Sequence, residues 1–243
     1  MTDPIKNNYD EWHKNLATLE EPGNVLSKVW YQKAILNLPN LNGKKVLEIG
    51  CGRGEFSNHL NRMYPSAIIT STDFSNGAIE VARSKYSEGK NLEFKVEDAQ
   101  ALSFKDNSFD VIVCCETLEH IPDVSKAVSE IYRVLTKGGG YFISTPSYFN
   151  AYALVWLKCW LLNKPFESGQ GVQPFEHFYT FIFVKKILSR AGLKLETHFS
   201  THFQWFVFPR VDPAKLRTIE FKCSQLNSIF KPFGVHFFYK GHK

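Results

Sequence analysis

Residues Val46 to Gly54 read Val-Leu-Glu-Ile-Gly-Cys-Gly-Arg-Gly, a short apolar strand that runs straight into a glycine-rich turn. Gly50, Gly52 and Gly54 remove Cβ atoms where the chain must turn sharply, and so let a ligand lie against bare main chain. The next apolar run, Ala67 to Thr72, ends in Asp73. In a doubly wound sheet that position offers a carboxylate to a ribose diol. The pairing points to a nucleoside cofactor. A dinucleotide such as NAD would need glycine at position 55 to complete G-x-G-x-x-G, and this chain has Glu55.

Glu48 stands inside the first strand, where a structural strand would carry Val or Ile. A buried carboxylate needs a cation or hydrogen-bond donors. An ammonium group beside a ribose would meet that need, and NAD has none there. The segment resembles the first motif of the class I S-adenosylmethionine-dependent methyltransferases, V-L-E/D-x-G-x-G-x-G. Later segments follow that family's order. Asn91 to Val96 reads as a third strand, followed by Glu97-Asp98-Ala99. The resemblance implies that Asp98 faces the adenine amino group and that the next backbone N–H meets a ring nitrogen; Asp98 as a plain turn residue is the alternative. Phe109 to Cys114 reads as a fourth strand. It leads into Cys115-Glu116-Thr117-Leu118-Glu119-His120-Ile121-Pro122-Asp123, similar to the family's E-x-L-E-H-I/V-P-D. Pro122 biases this segment away from helix and toward a loop at the carboxyl end of the sheet. By the same resemblance the cofactor is S-adenosylmethionine, held by Glu48, Gly50, Cys51, Gly52, Asp73, Phe74, Asp98, Ala99, Cys115 and Glu116.

Apolar spacing predicts helices near Val25 to Leu36, Glu55 to Met63, Asn76 to Tyr86 and Val124 to Leu135, with Ser75 and Asp123 as N-caps. Gly138-Gly139-Gly140 reads as the end of the last of these, and Tyr141 to Thr145 as a fifth strand. Leu193 to Phe199 and Val235 to Tyr239 read as the last two. The expected fold class is α/β, a doubly wound, mostly parallel sheet; the resemblance adds seven strands with one antiparallel edge. One domain over residues 1–243 is expected, with a helical cap over 1–40, a lid insertion over 147–178 and a basic segment over 210–243.

With 243 residues, 44% of them hydrophobic, the chain can bury one large core. Five cysteines, at 51, 114, 115, 159 and 223, form no C-x-x-C spacing, which argues against zinc or a disulfide framework. Cys51 is read as shaping the turn. The polar start, Met1-Thr2-Asp3-Pro4, lacks an apolar signal segment, so a cytoplasmic location is expected. Residues 210–243 carry the whole net charge of +5 and residues 1–209 balance to zero. A basic groove for nucleic acid is therefore not indicated.

Residues Tyr148 to Leu162 are apolar on nearly every side of a helical wheel, interrupted by Asn150 and Lys158. A membrane span needs about 20 apolar residues. The segment reads as a lid over the cofactor pocket, a helix dipping into a membrane interface, or an inserted core helix. Gln173 to Thr180 resembles the family's H-x-x-x-[FY]-T, which brings His177 toward the substrate mouth. Tyr9-Asp10-Glu11-Trp12-His13 is similar to the Y-D-x-W segment that closes over the cofactor, so Tyr9 and Trp12 join the binding set.

Methyl transfer is an in-line displacement in which alignment alone supplies roughly 7–11 kcal/mol. A hydroxyl acceptor also needs a proton acceptor, for which His120 is the candidate, with Glu119 to orient it and His177 nearby. Glu116, Glu119, His120 and His177 are also the candidate ligands for a divalent metal, which the resemblance allows but does not require. The expected activity is O-methylation of a small-molecule hydroxyl, on a metabolite or a lipid-like or glycosidic acceptor. The alternatives are a non-catalytic cofactor-binding scaffold that presents Trp156, Trp160 and Trp205, and an RNA methyltransferase.

Overall fold

Val46, Leu47, Glu48 and Ile49 are all buried. A strand covered on both faces reads as a near-continuous apolar run, which is the pattern of β1 (Lys45–Ile49). The computed structural model describes residues 7–13, 28–86, 91–146, 160–163, 176–177, 179–201 and 236–243. After β1 come α2 (Glu55–Met63), β2 (Ile68–Asp73), α3 (Asn76–Lys85), β3 (Leu92–Val96), β4 (Phe109–Cys115), α4 (Val124–Val134), β5 (Leu135–Pro146), α5 (Phe181–Ala191), β6 (Lys194–Thr201) and β7 (His236–His242); α1 (Val29–Asn37) precedes them. Residues 7–13 are also helical.

The seven strands lie in the order β3-β2-β1-β4-β5-β7-β6. β1 pairs in parallel with β2 and β4, so Ile49, Thr72 and Cys114 end level with one another. β7 runs antiparallel to both β5 and β6. The antiparallel strand is therefore one place in from the edge, where the resemblance had implied the edge itself.

Alternation along β1 sends Val46 to one face and Leu47 to the other. Val46 joins Ala34, Phe56, Leu60, Ile79 and Ala82 from α1, α2 and α3. Leu47 joins Ala127, Ile131, Val184 and Leu188 from α4 and α5. Ser75, Asp123 and Thr180 cap α3, α4 and α5, each accepting a hydrogen bond from a first-turn N–H.

The glycine run at 138–140 corrects the sequence reading. α4 stops at Val134 and β5 begins at Leu135, which pairs with Phe109. The glycines sit inside β5, at a shift in register, bracketed by the Gly138 N–H to Lys243 O and Lys243 N–H to Gly139 O bonds. Pairing with both neighbouring strands overrides the helix-stop composition.

Among the described residues no helix is long and apolar enough to cross a membrane. Of the expected lid over 147–178, only 160–163 and 176–177 are described, and there Trp160, Leu161 and Leu162 are exposed. Trp156, Trp205 and most of the basic segment over 210–243 lie outside the described residues.

Candidate functional site

The glycine turn leaves β1 at the carboxyl edge of the sheet. The Gly50 and Cys51 N–H groups both donate to Thr72 O, and Gly54 N–H closes the turn on Cys51 O. Gly50, Gly52 and Gly54 all have positive φ. At Gly50 a Cβ would lie 2.1 Å from Thr117 Oγ1. The turn is therefore pressed against the loop after β4, and the two are built as one unit.

Asp73 ends β2 beside this turn. Its carboxylate accepts from Gly52 N–H at 2.8 Å and from Ser75 N–H at 2.9 Å. One side chain thus fixes the glycine turn and the entry to α3, and each oxygen retains a second lone pair for a ligand hydroxyl. Across β3, Asp98 accepts from the backbone and the side-chain amide of Gln100, at 2.8 and 3.0 Å. Gln100 in turn accepts from Asp123 N–H. Asp98 therefore holds a local turn, the alternative given for it, at the same end of the sheet as Asp73, and Ala99 beside it is buried. Cys51 and Cys115 are buried thiols whose pKa burial pushes well up, so neither is a thiolate nucleophile.

Glu48 shares the face of β1 occupied by α2. Its Oε2 accepts from Ser57 Oγ at 2.5 Å and from Ser71 Oγ at 3.1 Å. Sequence reasoning missed both serines, since a short polar residue on a buried helix face (Ser57) or in a buried strand (Ser71) carries no period of its own. Burial raises the Glu48 pKa to about 7, and the two hydroxyls only partly oppose it. The folded protein then holds a proton that the unfolded chain has lost, so stability is full below about pH 4.5 and is lost as the pH rises through 7. Glu48→Gln is expected to flatten this slope and to raise stability at pH 8 by up to about 3 kcal/mol. Urea midpoints at pH 5 and pH 8 read the effect; an unchanged pH slope in the variant would refute it.

The helical turn over 7–13 crosses this edge. Asp10 accepts from Ser75 Oγ at 2.6 Å and from Gly77 N–H at 3.1 Å, which pins the segment to the start of α3. Tyr9 is buried and meets His120 edge-on, with ring centroids 6.1 Å apart. Trp12 packs edge-on against Tyr9 and His13. His13 sits over the glycine turn, its Cε1 3.9 Å from where a Gly52 Cβ would be. Its Nδ1 is buried without a hydrogen-bond partner among the described residues. Burial lowers its pKa, and among the neighbouring charges the Asp73 carboxylate acts on it most strongly, in the opposite sense.

The loop after β4 gathers the other titratable groups. Glu116 has φ +50, an uncommon conformation for a residue with a Cβ. Its N–H donates to Ser144 O, while its carboxylate accepts from Ser144 Oγ at 2.7 Å and meets His236 Nδ1 at 2.8 Å. His236 opens β7 and lies 120 residues away in sequence, so no local pattern could have linked the two. Glu119 is buried and accepts from Thr145 Oγ1. Burial, then the nearby Glu116, holds its pKa well above the carboxylate range. His120 Nε2 lies 3.8 Å from Glu119 Oε1, beyond hydrogen-bond distance. His177 reaches the cluster through its main chain, its N–H donating to Glu119 O at 2.7 Å, and its side chain is exposed. Burial and Glu116 raise Glu176 to about 7. Phe74 is half-buried just beyond Asp73. Glu116, Glu119, His120 and His177 are thus not gathered about one point, and among the described residues no group of three or more such side chains is placed to share a metal ion.

The family model described as a methyltransferase domain matches residues 47–143. A ubiquinone/menaquinone biosynthesis C-methyltransferase of Desulfotalea psychrophila is 29% identical over 179 residues, 74% of this chain and 63% of that protein. A demethylmenaquinone methyltransferase of Staphylococcus aureus is 32% identical over 136 residues, 56% of this chain and 54% of that protein. The chain thus spans less than two thirds of either relative's length. The crystal structure of an S-adenosylmethionine-dependent methyltransferase from Mesorhizobium loti shares the fold with a TM-score of 0.64 at 15% identity, over 90% of this chain and all of that one. With this sheet order and a bare glycine turn facing Asp73, the chain carries a methyltransferase domain over residues 47–143 and has the fold of the class I S-adenosylmethionine-dependent methyltransferases.

Proposed function

We propose that the chain methylates a hydroxyl-bearing small molecule, at the hydroxyl oxygen or at a ring carbon that the ionised hydroxyl makes nucleophilic. The observation that supports this most directly is the placing of two imidazoles, His120 and His236, each beside a glutamate, at the same sheet edge as the glycine turn. Asp73, the bare turn and Asp98 would hold S-adenosylmethionine, with Tyr9 and Trp12 above it; when bound, it supplies an electrophilic methyl group on a sulfonium. The protein's part is to hold the acceptor in line with that methyl, to keep water away and to take the hydroxyl proton as the new bond forms. Removal of that proton from an aromatic hydroxyl shares the electron pair between the oxygen and the ring carbons ortho and para to it. Both reactions begin with this deprotonation; O-methylation is then complete on displacement, whereas C-methylation also requires loss of the ring C–H proton and return of a proton to oxygen, and the quinone-pathway names of the relatives fit an aromatic acceptor.

His120 is the first candidate for the proton acceptor, held by Tyr9. His236 is the second, because its bond to Glu116 fixes Nδ1 as the donor and leaves Nε2 as the basic nitrogen. Zero net charge over residues 1–209 supports a small acceptor over RNA. The test is to incubate the full chain with S-adenosylmethionine and a reduced demethylated naphthoquinone, a catechol or a hydroxylated glycoside, and to locate the new methyl by NMR. His120→Ala should leave S-adenosylhomocysteine affinity within two-fold and lower kcat by about 100-fold, the usual scale of acid–base catalysis. If His236→Ala does so instead, the proton goes to the second imidazole. Tight cofactor binding with no methylated product from any acceptor would favour the scaffold.

A further inference from the structure

We propose that His13 is a cofactor-binding residue whose Nδ1 hydrogen-bonds to a ribose hydroxyl that Asp73 also holds. The inference rests on the cofactor reading above and extends it to a residue outside the conventional acidic positions. Buried polar atoms almost always have a partner, and His13 Nδ1 has none among the described residues. The ring lies over the glycine turn, within ordinary contact distance of the Cβ that Gly52 lacks. That missing atom is the space through which a ligand would reach the main chain. Asp73, whose two oxygens bind Gly52 N–H and Ser75 N–H, is on the same side. The segment carrying His13 is fixed independently by Asp10 on Ser75 and Gly77, so the ring is held in place before any ligand arrives.

The chemistry narrows what the atom can meet. Burial lowers the His13 pKa and so favours the neutral ring, in which one nitrogen donates and the other accepts. A hydroxyl does both and can satisfy either tautomer while donating its own proton to Asp73. A carboxylate there would lie close to Asp73, with like charges opposed.

The test is calorimetric titration of the full chain with S-adenosylhomocysteine and with its 2′-deoxy and 3′-deoxy analogues. His13→Phe keeps the aromatic packing on Trp12 and removes Nδ1. It should weaken S-adenosylhomocysteine binding by about ten-fold. For the analogue lacking the contacted hydroxyl it should cause no further loss. His13→Asn, which restores a polar atom near the Nδ1 position, should recover most of the affinity. In the unmutated protein, ¹⁵N NMR should show the His13 Nδ1 resonance shifting on ligand addition, which tests the contact even if a variant folds poorly. Affinity within two-fold in His13→Phe, or equal loss for all three ligands, would overturn the proposal. Failure of the unmutated chain to bind S-adenosylhomocysteine would instead sink the cofactor reading on which it stands.

Discussion

Asp73→Ala is expected to weaken S-adenosylhomocysteine binding by at least about 100-fold. A hydrogen bond to a charged group is worth about 1.5–3 kcal/mol, and a diol would make two with this carboxylate. A further loss comes from the protein itself. The same two oxygens accept from Gly52 N–H and Ser75 N–H, so their removal also releases the turn and the start of α3. Asp73→Asn keeps one acceptor oxygen and should fall between the two. Calorimetry on variants whose urea midpoints stay close to that of the parent separates binding from folding. If Asp73→Ala binds within two-fold of the parent, the carboxylate does not hold the cofactor.

The parts of this fold written locally were legible, and those made by distant pairing were not. α2 spans Glu55–Met63 as the apolar spacing predicts, because its start is set by the glycine turn just before it. Ser75 and Asp123 act as caps through bonds to residues three positions on, a purely local arrangement. By contrast, the boundary between α4 and β5 depends on Phe109 and Lys243, and a glycine triplet carries no mark of either. The site divides in the same way. The glycine turn, Asp73 and the loop after β4 follow one another at the ends of successive strands and could be read from the chain. His236 meets Glu116 only because β7 inserts beside β5, Ser57 meets Glu48 only because its helix α2 lies against β1, and Ser71 meets it only because β2 pairs with β1 in that register. His13 was in view within an aromatic motif, yet nothing in the chain says that its Nδ1 would be buried over the turn without a partner among the described residues.

Gly50→Ala should be the most destabilising single change in the site, while Gly52→Ala should spare the fold and affect binding. Both positions have left-handed φ, +75 and +54, and an alanine at either pays about 1–2 kcal/mol for that conformation. Their surroundings differ. A Cβ at Gly50 would fall 2.1 Å from Thr117 Oγ1 and 2.3 Å from Cγ2, whereas at Gly52 the nearest atom is 3.9 Å away. Thr117 cannot swing aside freely, since it is β-branched and its hydroxyl donates to Cys115 O and Ile49 O. Overpacking adds about 1–3 kcal/mol, so the total for Gly50→Ala is roughly 2–5 kcal/mol, a large share of the ~5–15 kcal/mol that holds a domain together. In urea denaturation the midpoint should fall with the slope unchanged. Adding Thr117→Gly should recover the packing part and leave the backbone part, so the two changes together should cost less than their sum. Strict additivity would mean that the turn and the loop after β4 are not in contact, and the shared construction of the cofactor and acceptor sites would fall with it.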